Sequence, residues 1–194
     1  MEITVRSSVS NFYPLCRTKA MGTRIVNALE DSCYWSVADL VSSSRDEIIR
    51  HCRGIGQSCL DEIERVLGEN GLSLDTEVKD KEWAFVKQFT TSLVGKCVRH
   101  NFEGIRYGYM RVRKTGYVLD EKEIWLWGEG FSMEVNYKGD LLTVEDLCGE
   151  AYDWYKKPKD LPRMFKVIPE AEFIAKHIVW KRMVEIAKQE LKKI

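Results

Sequence analysis

The clearest pattern of apolar and polar positions in this chain lies between Cys52 and Leu67. Gly54-Ile55-Gly56 forms a compact turn, and Leu60, Ile63, Val66 and Leu67 follow at the spacing of one helix face. The glycines let the backbone turn without a Cβ penalty. The pattern predicts a helix-hairpin-helix whose second helix begins with bare amides from Gly56 to Cys59. Such amides favour an anionic group, most often a backbone phosphate.

A charged stretch without periodicity, Asp75-Thr76-Glu77-Val78-Lys79-Asp80-Lys81-Glu82, reads as a short linker. It divides the chain into a helical module at 1–78 and a second domain at 79–194. Beyond it, Trp83, Val86 or Phe85, Phe89 and Leu93 recur at helical spacing and predict a helix from Lys81 to Val94, ended by Gly95. Strand-like runs follow at Lys96–His100, Ile105–Arg113, Ile124–Trp127 and Phe131–Val135. Along Ile105–Arg113, Tyr107, Tyr109 and Arg111 alternate with Arg106, Met110 and Val112. Gly108 suggests a bulge and Gly116 a turn, with further turns at Asn101–Gly104 and Tyr137–Asp140. Trp125 and Trp127 share a face and read as core.

Thr143 to Tyr155 starts with a cap-like threonine and acids, which predicts a helix. Pro158 and Pro162 mark an irregular, lysine-rich connector. Pro169 opens the last helix, where Phe173, His177, Trp180, Val184, Ala187, Leu191 and Ile194 form a stripe packed against the sheet. The fold class expected is α+β: an N-terminal all-α helix-hairpin-helix domain, then a small antiparallel sheet of four or five strands with flanking helices.

The hairpin does not stand alone. Thr23-Arg24-Ile25-Val26-Asn27-Ala28-Leu29, Ser36-Val37-Ala38-Asp39-Leu40-Val41, Arg45-Asp46-Glu47-Ile48-Ile49, the hairpin through Leu67, and Gly71-Leu72-Ser73-Leu74 follow one another without a large gap. Together, from about Gly22 to Leu74, they resemble the C-terminal domain of the bacterial RNA polymerase alpha subunit. The resemblance implies that Arg24 enters the DNA minor groove, with Asn27 one turn later. It also places Gly56 at the family's hairpin glycine and Glu62 at its late glutamate. Where the family commonly has Lys-Ser after the hairpin, this chain has Ser58-Cys59, which removes a cation and about one phosphate contact. The DNA-binding set it implies is Arg24, Asn27, Gly54, Gly56, Ser58, Cys59 and Glu62. Residues 79–194 resemble no family we recognise.

Charge changes this picture. Residues 1–78 hold 8 Lys and Arg against 12 Asp and Glu, and the remainder holds 22 against 18. A nucleic-acid-binding domain usually shows a basic footprint, so here the footprint reduces to a local patch of Arg24, Arg50, His51 and Arg53. A second patch is Arg99, Arg106, Arg111, Arg113 and Lys114, interleaved with Phe102, Tyr107, Tyr109 and Tyr117. Such a face can track phosphates and stack bases; a solvated strand face has the same pattern.

Other chemistry finds little in the sequence. Six cysteines form no Cys-x-x-Cys pair and have no histidine at ligand spacing, so no metal is expected. The three histidines lie far apart, no phosphate loop or nucleophile elbow occurs, and Glu145, Asp146, Glu150 and Asp153 read as acids offsetting a helix dipole. No cofactor and no enzymatic activity are expected. No apolar run approaches the ~18 residues that span a membrane, and the N-terminus has no signal-peptide core, so a cytoplasmic protein without membrane partners is expected. The sequence favours a transcription-associated protein of a bacterium or phage, binding A/T-rich duplex DNA and possible partners such as RNA polymerase. It lacks the polymerase subunit's assembly domain. A protein-docking adaptor using the same module remains an alternative.

Overall fold

The computed structural model describes residues 2–102, 106–135, 141–147, 150–155 and 157–191. At 101, 102, 106, 107, 132–135, 141–147, 150–154, 187, 190 and 191 it describes the backbone alone. The protein is α+β, with helices first and an antiparallel sheet region after them. It divides into two compact units, Met1–Gln88 with Gly116–Ile124, and Phe89–Thr115 with Trp125–Ile194.

In the first unit a 3-10 helix, Val9–Leu15, precedes α1 (Lys19–Asp31), α2 (Val37–Val41), α3 (Arg45–His51) and α4 (Gln57–Glu69). Local chemistry sets where each begins. The Thr18, Ser36 and Ser44 side chains accept from the amides of Met21, Asp39 and Glu47, and Ser44 with Glu47 closes a full capping box. The apolar faces converge on a core that includes Phe12, Ile25, Leu29, Leu40, Ile48, Leu60, Ile63 and Leu67. Gly22 lets α1 approach the 3-10 helix closely, since a Cβ there would lie 2.7 Å from the Tyr13 carbonyl oxygen. A fifth helix, α5 (Lys81–Leu93), starts where the charge run ends, and Asp80 caps it by accepting from Glu82 and Trp83.

Two polar hubs fix the later parts of this unit. The Asp39 carboxylate accepts from Ser36 Oγ at 3.2 Å and from Tyr117 OH at 2.9 Å, and Lys87 Nζ lies 3.3 Å away. Burial pushes the Asp39 carboxyl up from its ordinary value, while Lys87 and Tyr117 pull it back. Arg6 reaches Asp80 at 2.5 Å, Glu82 at 2.7 Å and Asp120 at 3.4 Å. Gly116, expected to turn the chain, lies instead within a strand. A Cβ there would sit 2.5 Å from the Trp35 ring, so the glycine serves a close approach.

The sheet comprises β1 (Cys97–Phe102), β2 (Arg106–Val118), β3 (Glu123–Val135), β4 (Leu141–Leu147), β5 (Glu150–Trp154) and β6 (Phe165–Ile168). Its order is β4-β3-β2-β1-β6, with β5 also paired to β3. β1 pairs antiparallel with β2 (Cys97 opposite Arg111) and with β6 (Cys97 opposite Ile168). In the second unit, Cys97, Tyr109, Phe131 and Ile168 pack with Phe173 and Trp180 of the last helix, α7 (Glu170–Leu191). The opposite side carries His100 stacked on Phe165 at 4.6 Å, with Phe89 of α5 against Phe165.

Several sequence expectations change here. Thr143–Tyr155 is not a helix; it supplies β4 and β5, and β4 pairs with β3 from Gly130 opposite Leu147 to Val135 opposite Leu141. Its Thr, Val, Tyr and Trp residues suit a pleated surface, and the cap-like start was the weaker signal. The connector after Pro158 contains a short helix, α6 (Leu161–Met164), and β6. Trp125 and Trp127 share a face, with ring centroids 6.3 Å apart, but they are half-buried while Ile124 and Leu126 are buried. The turn at Tyr137–Asp140, and Ala187, Leu191 and Ile194 of the α7 stripe, lie outside the described residues or side chains.

Phe131 is fully buried and touches Tyr109, Phe173, His177 and Trp180. Phe131→Ala is therefore expected to cost about 3–5 kcal/mol of unfolding free energy, read by urea denaturation followed through near-UV circular dichroism. A cost below about 1 kcal/mol would contradict this packing.

Candidate nucleic-acid interface

The hairpin forms at the expected place, between α3 and α4. The Ile55 amide donates to Cys52 O at 3.2 Å, and Gly54 turns the chain at φ +92°, where a side chain would be strained. Gly56 is the N-cap of α4 and offers no side chain to its first turn. The amides of Cys59 and Leu60 donate back to Gly56 O, both at 3.0 Å. Those of Gln57 and Ser58 find no protein acceptor among the described residues, and both residues are exposed. The Gln57 side chain donates to Asp61 at 2.8 Å, away from the amides. The start of α4 is therefore open to an anion.

Two contacts lay α1 along this hairpin. Cys59 Sγ lies 3.7 Å from Met21 Sδ, joining the first turns of α4 and α1. Ser32 Oγ donates to His51 O at 3.3 Å, joining the end of α1 to the end of α3. Arg24 and Asn27 lie between these contacts on α1 and are exposed. Gly54, Gly56 and Ser58 are exposed as well, as are Arg50, His51 and Arg53.

Two residues of the expected set turn inward. Cys59 is 1% exposed, so its side chain belongs to the core. Glu62, 3% exposed, accepts the Arg17 amide at 2.6 Å and Arg65 Nη2 at 2.9 Å. Arg65 also donates to Leu15 O at 2.8 Å and Glu69 at 2.6 Å. Glu62 thus anchors the segment entering α1 and has no surface left for a ligand. Arg65 chiefly, with the Arg17 amide, holds its carboxyl below the ordinary glutamate value.

Two cations of the second expected patch, Arg111 and Arg113, are ion-paired. Arg111 pairs with Glu170 at 2.5 Å and Glu129 at 3.6 Å, and Arg113 pairs with Glu129. Lys114 lies over the Trp127 ring, 4.9 Å from its centroid. Arg99 is half-buried, and the side chains of Arg106, Phe102 and Tyr107 lie outside those described. Tyr109 is buried against Phe131 and Tyr117 against Asp39, so neither presents a ring for stacking.

Within the first unit, Ser32, Cys33, Tyr34, Asp39, Ser43, His51 and Lys87 line a polar recess of about 250 Å³. Its acid and its lysine already pair with each other. Among the described residues no group of His, Cys, Asp and Glu could hold a metal ion, and no helix is long and apolar enough to cross a membrane. No family model and no curated protein matches the sequence.

A depressed glutamate stabilises the fold above its ordinary pKa, and that contribution disappears as the pH falls through the folded value. Wild type should therefore lose stability below about pH 4.3 more steeply than Glu62→Gln. At neutral pH the variant should be less stable by about 1–3 kcal/mol. Thermal unfolding across an acid pH series checks both, and parallel pH profiles would contradict the role of Glu62.

Proposed function

We propose that the N-terminal unit binds duplex DNA in a transcription-associated role. A backbone phosphate sits at the open start of α4, and Arg24 reaches the minor groove with Asn27 beside it. The observation that carries this reading is the pairing of two features: an uncapped α4 start, and exposed Arg24 and Asn27 on a helix laid along the hairpin. The resemblance of residues 22–74 to the polymerase alpha-subunit domain supports the same assignment. The acidic balance of residues 1–78 keeps the footprint local, so few phosphates are contacted and affinity is modest.

The test is fluorescence anisotropy of a labelled A/T-rich duplex with the intact chain and Arg24→Ala, at two salt concentrations. Binding should weaken as salt rises, and Arg24→Ala should lower affinity by about tenfold or more. Salt-sensitive binding indifferent to Arg24 would move the site elsewhere. No binding at low salt would overturn the reading for this duplex and favour the protein-docking adaptor, whose apolar contacts do not weaken with salt.

A further inference from the structure

The open start of α4 has no cation of its own, because position 58 is a serine. Ser58, Glu62 and Arg65 recur at i, i+4 and i+7, so they share one face of α4. Glu62 on that face receives a residue from outside the helix. Arg17 donates its backbone amide to it at 2.6 Å, and Arg17 Nε forms an ion pair with it at 3.4 Å. The backbone bond holds Arg17 against Glu62, and the carboxylate draws the guanidinium toward a position about one turn along α4 from Ser58.

Arg17 differs from the other arginines against α4. Arg65 is closed off by Glu62, Glu69 and Leu15 O, and Arg45 is held by Asp61 and Glu64. Arg17 keeps its side chain 74% exposed, and among the described residues its side chain pairs with Glu62 alone, through Nε. Most of the side chain is therefore in solvent, and its planar guanidinium fork suits a phosphate. The chain then continues directly into α1, through the exposed Lys19 and on to Arg24.

We infer that Arg17, positioned by Glu62, is a phosphate-contacting residue of the duplex interface and supplies the cation that position 58 lacks. The inference rests on the duplex-binding reading and extends it to a residue outside the segment that carries the family resemblance. Glu62 acts here as a positioning residue, reaching DNA only through Arg17. The arrangement also accounts for a buried glutamate beside a phosphate site: its charge is consumed by two guanidinium groups and an amide, and the exposed end of the network is cationic.

Arg17→Gln removes the fork yet keeps the backbone amide on Glu62, and Arg65 still pairs with that carboxylate, so the fold should survive. The experiment measures duplex affinity by anisotropy over a salt series for wild type, Arg17→Gln, Arg24→Ala, and Arg17→Gln combined with Ser58→Lys. Thermal melts serve as the fold control. Arg17→Gln should reduce the slope of log affinity against log salt by about 0.9, one phosphate's worth, with an unchanged melt. Ser58→Lys should restore that slope. If Arg24→Ala weakens binding while Arg17→Gln leaves the slope intact, the role of Arg17 is overturned and the duplex reading stands. If Ser58→Lys does not restore the slope, the claim of a substituted cation is overturned. Should wild type fail to bind the duplex, both fall together.

Discussion

The buried carboxylate of Glu62 is the constraint on which the proposed interface depends. A charge taken out of water must be matched locally or the group neutralises. Here the matching groups come from the Arg65 side chain on its own helix and from Arg17 ahead of α1. Satisfying Glu62 therefore fixes the entry into α1 against α4. The Met21–Cys59 contact then sets the first turns of the two helices together, and Ser32 closes onto His51 at the far end. Arg24 and Asn27 are consequently carried on a helix held by core packing rather than on a loop.

A second requirement falls on Asp39. Its carboxylate takes a hydroxyl from Ser36, a phenol from Tyr117 and an ammonium from Lys87. A hydrogen bond to a charged group contributes about 1.5–3 kcal/mol, so α2, α5 and the Gly116–Ile124 segment hold one another in place. Arg6 repeats the device with Asp80, Glu82 and Asp120. The first unit thus extends beyond the helical module expected at 1–78, and the Asp39–Lys87 pair shares a recess with Ser32 at the end of α1 and His51 at the hairpin.

How much of this was legible in the sequence follows from the range of each interaction. The hairpin, α4 and the last helix were readable because glycine turns and apolar spacing act within a few residues. The order of α1 to α4 followed from the same local signals. Tyr117 on Asp39 and Arg6 on Asp80 join residues far apart in the chain, and no local pattern reports such pairs. The strands β4 and β5 form where a threonine and acids look like a helix cap, because the ladder to β3 outweighs that local signal. Cys59 and Glu62 occupied the expected positions, but only packing shows that they turn inward. Arg17, whose phosphate role is proposed, is in sequence a lone arginine ahead of a helix. Its meaning comes from the glutamate that holds it.

In the proposed interface one face, built from the start of α4 and the exposed edge of α1, meets DNA. The most direct measurement is two-dimensional amide NMR of the isotopically labelled intact chain during titration with an A/T-rich duplex. The largest shifts are expected on the amides of Gln57 and Ser58 and on Arg17, Arg24 and Asn27, with the α7 amides unmoved. Shifts concentrated on β2 or α7, or none anywhere at low salt, would contradict that interface.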